Sequence, residues 1–187
     1  GKTGLDVLRG ADMLSDVARE YESTVEYADN CISKSLRDVA RIHFSGLGTR
    51  VFYTNHGGYD THANEMPSHP KLMSDLSGAI SDFIDDLEEH NASDDVAILV
   101  FTEFGRRMRD NGSGTDHGSG GVAFVIGDNV KGGIYGEYPS LEESKLLEGD
   151  LHFNNDFRGL YSTLLEKWIG IDAQPVVGGN FEQMAFI

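Results

Sequence analysis

Two short stretches carry the residue types that ligate metals or handle protons. GGYDTHANE places Asp60 and His62 two positions apart. GSGTDHGSGG places Asp116 and His117 side by side among glycines and small residues. Carboxylate oxygen and imidazole nitrogen are suitable ligands for zinc, manganese or iron. Glycines at 112, 114, 118, 120 and 121 let the chain turn sharply around an ion, or bring backbone N–H groups near an anion. Between the two stretches lies TEFGRR. Glu103 there could ligate a metal or orient a ligand histidine, and Arg106 or Arg107 could grip a phosphate or sulfate through its guanidinium fork. Each signal also has a plain reading: a turn with a surface histidine, a buried Glu–Arg pair, or, for His56 before Gly57 and Gly58, a turn residue.

These residues belong together only if the fold collects them. The apolar spacing predicts helices over 4–20, 29–45, from about Ser68 to Leu87, and over 156–169. Gly46 and Gly48 end the second and Gly170 the last, with Asp156 placed as its cap. TRVFYTN (49–55), VAILVFT (96–102) and GVAFVIG (121–127) read as strands, the second as a central one covered on both faces. A hairpin or turn is expected over VKGGIYGEYP. The order implies an α/β domain, 1–187, of layered α/β/α build with a mainly parallel sheet. In such a sheet ligands bind beyond the carboxyl ends of the strands, where Asp60, His62, Glu103, Arg106, Arg107, Asp116 and His117 fall.

Composition narrows the partners. Lys and Arg number 15 against 31 Asp and Glu, a formal charge of −16 that repels nucleic acid and anionic membranes. No apolar run reaches the length of a bilayer span, and GKTGLDVLRG is not a signal peptide. The single cysteine, Cys31, excludes an intrachain disulfide and a cysteine-rich metal site, and reads as a small buried helix residue. His43 and His90 read as surface groups in charged helical runs, and His69 as part of a helix start. No phosphate loop, HExxH or GxSxG motif occurs.

GGYDTHANE, TEFGRRMRDNGSGTDHG, VKGGIYGEYPSL and NDFRGLYSTLLEKWIG resemble, in that order, signatures of the bacterial "domain of unknown function 1501" family. That family is grouped with the alkaline-phosphatase-like and sulfatase-like superfamily. The resemblance implies part of that fold, two divalent ions (zinc or manganese), and cleavage of phosphate or sulfate esters. It implies Asp116 and His117 as ligands of one ion, Asp60 and His62 as ligands of the other, and more weakly His152 as a further ligand. Members are longer, and the chain resembles their C-terminal part. The superfamily nucleophile and one metal-binding acid come from near the N-terminus, and neither is identified here. Three functions follow: a metal-dependent ester hydrolase acting on a small anionic substrate; a non-catalytic metal-binding or interaction domain lacking the nucleophile segment; and a metal-free domain whose polar motifs fix loops.

Overall fold

The computed structural model describes residues 21–187, so the helix expected over 4–20 lies outside the described residues. The described residues gather into two compact units, one of residues 21–60 and 69–93 and one of 61–68 and 94–187.

In the first unit, α1 (Cys31–His43) starts where Asn30 accepts a hydrogen bond from the Ser33 N–H at 2.8 Å. It buries Ile32, Ser33, Leu36 and Ala40, and the chain turns away at Gly46 (φ +71°). Cys31 is exposed rather than buried, because the apolar stripe starts one position later. Helix α2 (Glu65–Glu89) starts three residues before the expected Ser68 and carries Pro70 inside it. It buries Ala79, Phe83 and Leu87. Asp86, expected to face away, is fully buried. It accepts from the Tyr27 hydroxyl at 2.6 Å and from the Tyr21 hydroxyl. Burial, then these bonds, push both phenols well above the ordinary tyrosine range. His90, expected at the surface, is only a quarter exposed. Its Nδ1 lies 2.8 Å from the Asp86 carbonyl and its ring stacks on Phe44 at 4.3 Å. Residues 21–28 are thereby strapped along the end of α2, with Thr24 donating to Glu89 at 2.9 Å.

The second unit holds all the described strands. β1 (Ile98–Val100) pairs with β4 (Phe124–Ile126), and β2 (Gly105–Asp110) pairs with β3 (Thr115–Gly118). Both pairings are antiparallel. The mainly parallel, layered α/β/α sheet expected from the sequence is therefore absent among the described residues. The run at 96–102 is apolar throughout, yet only three of its residues join a ladder, and Phe101 stays 49% exposed. Apolarity marks a segment as extended and says nothing about the direction of its neighbour. The run at 49–55 joins no ladder, and no hairpin forms at 130–139. The hairpin that does form, β2–β3, has arginine-rich and glycine-rich strands that carry no apolar alternation.

Helix α3 (Phe157–Thr163) begins at Asp156, which accepts from the Arg158 N–H at 2.9 Å. It runs on as a π-turn over Leu164–Ile169 and ends at Gly170 (φ +78°), matching the expected span. The tail adds α4 (Gln174–Val177) and returns to bury Phe186, whose carbonyl accepts from Lys131 at 2.7 Å.

Candidate functional site

The β2–β3 hairpin and the strand-like stretch before α2 build one feature. Register pairs Gly105 with Gly118 and Arg106 with His117, with an irregularity before Asp110 meets Thr115. The turn between them is fixed by Asn111, whose Oδ1 accepts from the Gly114 N–H at 3.0 Å and the Ser113 N–H at 3.2 Å. Residues 61–65 are tied to that turn. Thr115 donates to the Thr61 carbonyl at 3.4 Å, Asn111 to the His62 carbonyl at 3.0 Å, and Glu65 to the Ser113 carbonyl at 3.1 Å. The Thr115 hydroxyl donates to the Glu65 carboxylate at 2.9 Å.

The glycines serve this close approach. A Cβ at Gly114 would stand 2.4 Å from the Thr61 carbonyl oxygen, and one at Gly105 would stand 2.1 Å from that of Gly120. Both are collisions with backbone.

The consequence is a cluster. Asp60, His62 and His117 each present a ligand atom, and the three atoms lie within 4.8 Å of one another. All three side chains are exposed. Asp60 is bonded through Thr61 to His62, so the pair travels as one stretch. The two imidazoles lie 4.8 Å apart between ring centroids. His117 stacks on Phe104 at 3.9 Å, nearly parallel, and the Arg106 guanidinium stands 5.1 Å over the same phenyl ring.

Asp116 holds a different place from the other three. Its Oδ1 faces His62 Nδ1 at 3.2 Å and accepts from Asn111 at 3.2 Å. The hydrogen bond to His62, then that to Asn111, holds its carboxyl below the usual range. A carboxylate facing one ring nitrogen is the arrangement by which metal-bound histidines are oriented.

The remaining expected site residues are placed as follows. Arg106 directs Nη1 to the Thr115 carbonyl at 2.5 Å and Nη2 to the Thr61 hydroxyl at 3.3 Å, which ties the hairpin to residue 61. Arg107 is exposed, and its charge adds to the lowering at Asp116. Glu103 is exposed. His152 turns its Nδ1 to the Phe153 carbonyl at 3.0 Å and stands outside the cluster. His56 bonds the Tyr59 hydroxyl at 3.0 Å through Nδ1. Sequence reasoning passed over Phe104 and Asn111. The DNGSG turn chemistry was the available signal for Asn111; nothing in a lone phenylalanine marked Phe104.

The family described as "Protein of unknown function (DUF1501)" matches residues 12–181. No curated protein and no solved structure matches the chain.

Proposed function

We propose that this chain, which belongs to the DUF1501 family, binds a divalent metal ion through Asp60, His62 and His117 and serves the hydrolysis of phosphate or sulfate esters. One observation supports the reading above the others: two imidazoles and a carboxylate, from stretches far apart in sequence, present ligand atoms within 4.8 Å of one another. Two nitrogens and one oxygen are the donor set of a catalytic zinc site, which keeps a further position open, and manganese accepts the same donors. Bonds of about 2.0–2.2 Å need the ligand atoms nearer together, a change that rotation of exposed side chains supplies.

An ion held there would polarise an ester oxygen and lower the pKa of a water. The chain's own residues would do the rest. Asp116 faces His62 Nδ1 at 3.2 Å and would orient that ring, and Phe104 covers one face of His117. Arg107 is the cation left exposed for the nonbridging oxygens, since Arg106 is engaged by Thr61 and Thr115. The resemblance of YDTH and TDHG to superfamily ligand motifs adds ester chemistry to this reading.

A second reading is metal binding without turnover. The hydroxyls beside the cluster are engaged: Thr61 with Arg106, Thr115 with Glu65, and Ser119 with the Leu151 carbonyl. None is poised as a nucleophile.

Elemental analysis of chelator-free protein, beside a His62→Ala/His117→Ala variant, tests both readings. Stoichiometric metal lost in the variant is expected. No metal in either protein after incubation with zinc and manganese refutes both. Metal without hydrolysis of any phosphate or sulfate ester leaves the second.

A further inference from the structure

We propose that the second unit carries another binding site, for a neutral pyranose sugar, in a cavity at the start of α3. The cavity, open on one side to solvent, has a volume of about 360 Å³, and its walls include Tyr135, Asn154, Asn155, Asp156, Phe181 and Gln183. That volume lies in the range of small-ligand sites. None of the metal-cluster residues lines it.

Glycine shapes two of its walls. A Cβ at Gly136, which sits at φ +149°, would stand 2.4 Å from Asn155 Nδ2, so a side chain there would press on the Asn155 amide. A Cβ at Gly159 would stand 2.3 Å from the Glu182 carbonyl, so the helix start and residue 182 meet backbone to backbone.

The polar groups define the ligand. Asn155 spends an amide N–H on Asn154 Oδ1 at 2.8 Å, Asn154 spends one on the Glu137 carbonyl, and Gln183 spends one on Glu166 at 2.5 Å. Asn154, Asn155 and Gln183 each keep a second amide N–H, and Asn155 and Gln183 also keep their amide oxygens, on a wall that Glu182 joins. The charge of Asp156 is answered by Arg158, at 2.9 Å from Nε and 2.6 Å from Nη2. That guanidinium lies 4.1 Å over the Phe181 ring.

Amide groups that both donate and accept suit a ligand rich in hydroxyls, each of which also donates and accepts. Tyr135 and Phe181 add aromatic surface, which suits the C–H face of a sugar ring. Hydroxyls set around a ring with an apolar face meet both demands, and a neutral ring needs no charge beyond the Asp156–Arg158 pair.

Saturation-transfer NMR on the full chain, with glucose, galactose, N-acetylglucosamine and cellobiose as probes, reads the site. Transfer to the ring protons of at least one sugar is expected. In Asn155→Leu/Gln183→Leu, binding is expected to weaken about tenfold or more, as loss of two acceptors requires. The melting curve checks that this variant folds. Asn155→Leu alone, at an exposed position, provides the same readout should the double variant not fold. No transfer from any of the four sugars overturns the proposal. So does undiminished binding in the folded variants, or calcium binding in the cavity with no sugar binding.

Discussion

Gly114→Ala tests whether backbone proximity builds the metal cluster. The added methyl would stand 2.4 Å from the Thr61 carbonyl oxygen, 2.7 Å from the His62 carbonyl carbon and 2.8 Å from its oxygen. Real Cβ contacts essentially never fall under 3.0 Å, and all three atoms are backbone, so no flexible side-chain end can yield. The turn and residues 61–62 must separate by at least about 0.6 Å, an overpacking that costs about 1–3 kcal/mol. Separation also weakens the bonds across the seam, from Thr115 to Thr61 and from Asn111 to His62, at about 1 kcal/mol each. The sum is about 3–5 kcal/mol. For a chain of this length that lowers Tm by about 6–20 °C. His62 moves with its peptide, so metal affinity should fall by about tenfold or more, the scale seen when a ligand loses its support. Thermal denaturation with and without zinc, and competition against a chromophoric chelator, measure both. Gly78→Ala is the control: it lies inside α2 with nothing within 4 Å of the new methyl, and should stabilise by about 0.5–1 kcal/mol. A Gly114→Ala protein that melts with wild type and binds metal equally well refutes the argument that this glycine seats His62.

Asp116→Asn removes the anionic acceptor facing His62 Nδ1 and should weaken metal binding about 10–100-fold, whereas His117→Ala should abolish it; equal losses in the chelator assay would make Asp116 a ligand instead. Asp156 is held at about 2, against an ordinary 3.8, chiefly by its hydrogen bonds to the Arg158 side chain and then to the Arg158 backbone N–H. A depressed carboxyl contributes stability that is present above its unfolded value and lost as pH falls through the folded one. Acid unfolding of Asp156→Asn, which keeps a capping side chain, should therefore lose part of the wild-type slope between about pH 4 and pH 2; identical slopes would deny the pairing. Asp86→Ala strands the half-buried Tyr21 and Tyr27 hydroxyls and should cost about 2–4 kcal/mol by denaturant titration. In the wild type, ultraviolet titration should show those two phenols ionising only with unfolding; early ionisation of all seven tyrosines would contradict the buried cluster.

Local elements were legible where one physical signal decided them. Asn30 and Asp156 cap their helices, and glycines at 46 and 170 follow helix ends in the left-handed conformation that glycine tolerates. The sheet was not legible. VAILVFT and TRVFYTN advertise burial through composition, while pairing direction is set by partners elsewhere in the chain. The hairpin from Gly105 to Gly118 advertises nothing by apolar period, because Arg106, Arg107 and Arg109 stand where a two-residue alternation would put apolar groups. Asp86 shows the same limit on a helix. Its spacing, seven residues after Ala79 and three after Phe83, sets it on the buried face; its charge argues for solvent, and the Tyr21 and Tyr27 hydroxyls it accepts from explain why a carboxylate is buried there.

The residue types of the cluster were legible in the sequence. Adjacency in TDHG suggests that Asp116 and His117 share one ion. The structure groups His117 with Asp60 and His62, and leaves Asp116 against His62 Nδ1. Gly114 then has a reason that does not involve a bound ion: it removes the side chain that would keep residues 61–62 from lying against the hairpin turn. Gly118 and Gly120 give way to other neighbours, Arg106 with Asp150 and Leu151. Bulk is absent at residue 114 because the stretch carrying His62 arrives there at a distance that a side chain would not permit.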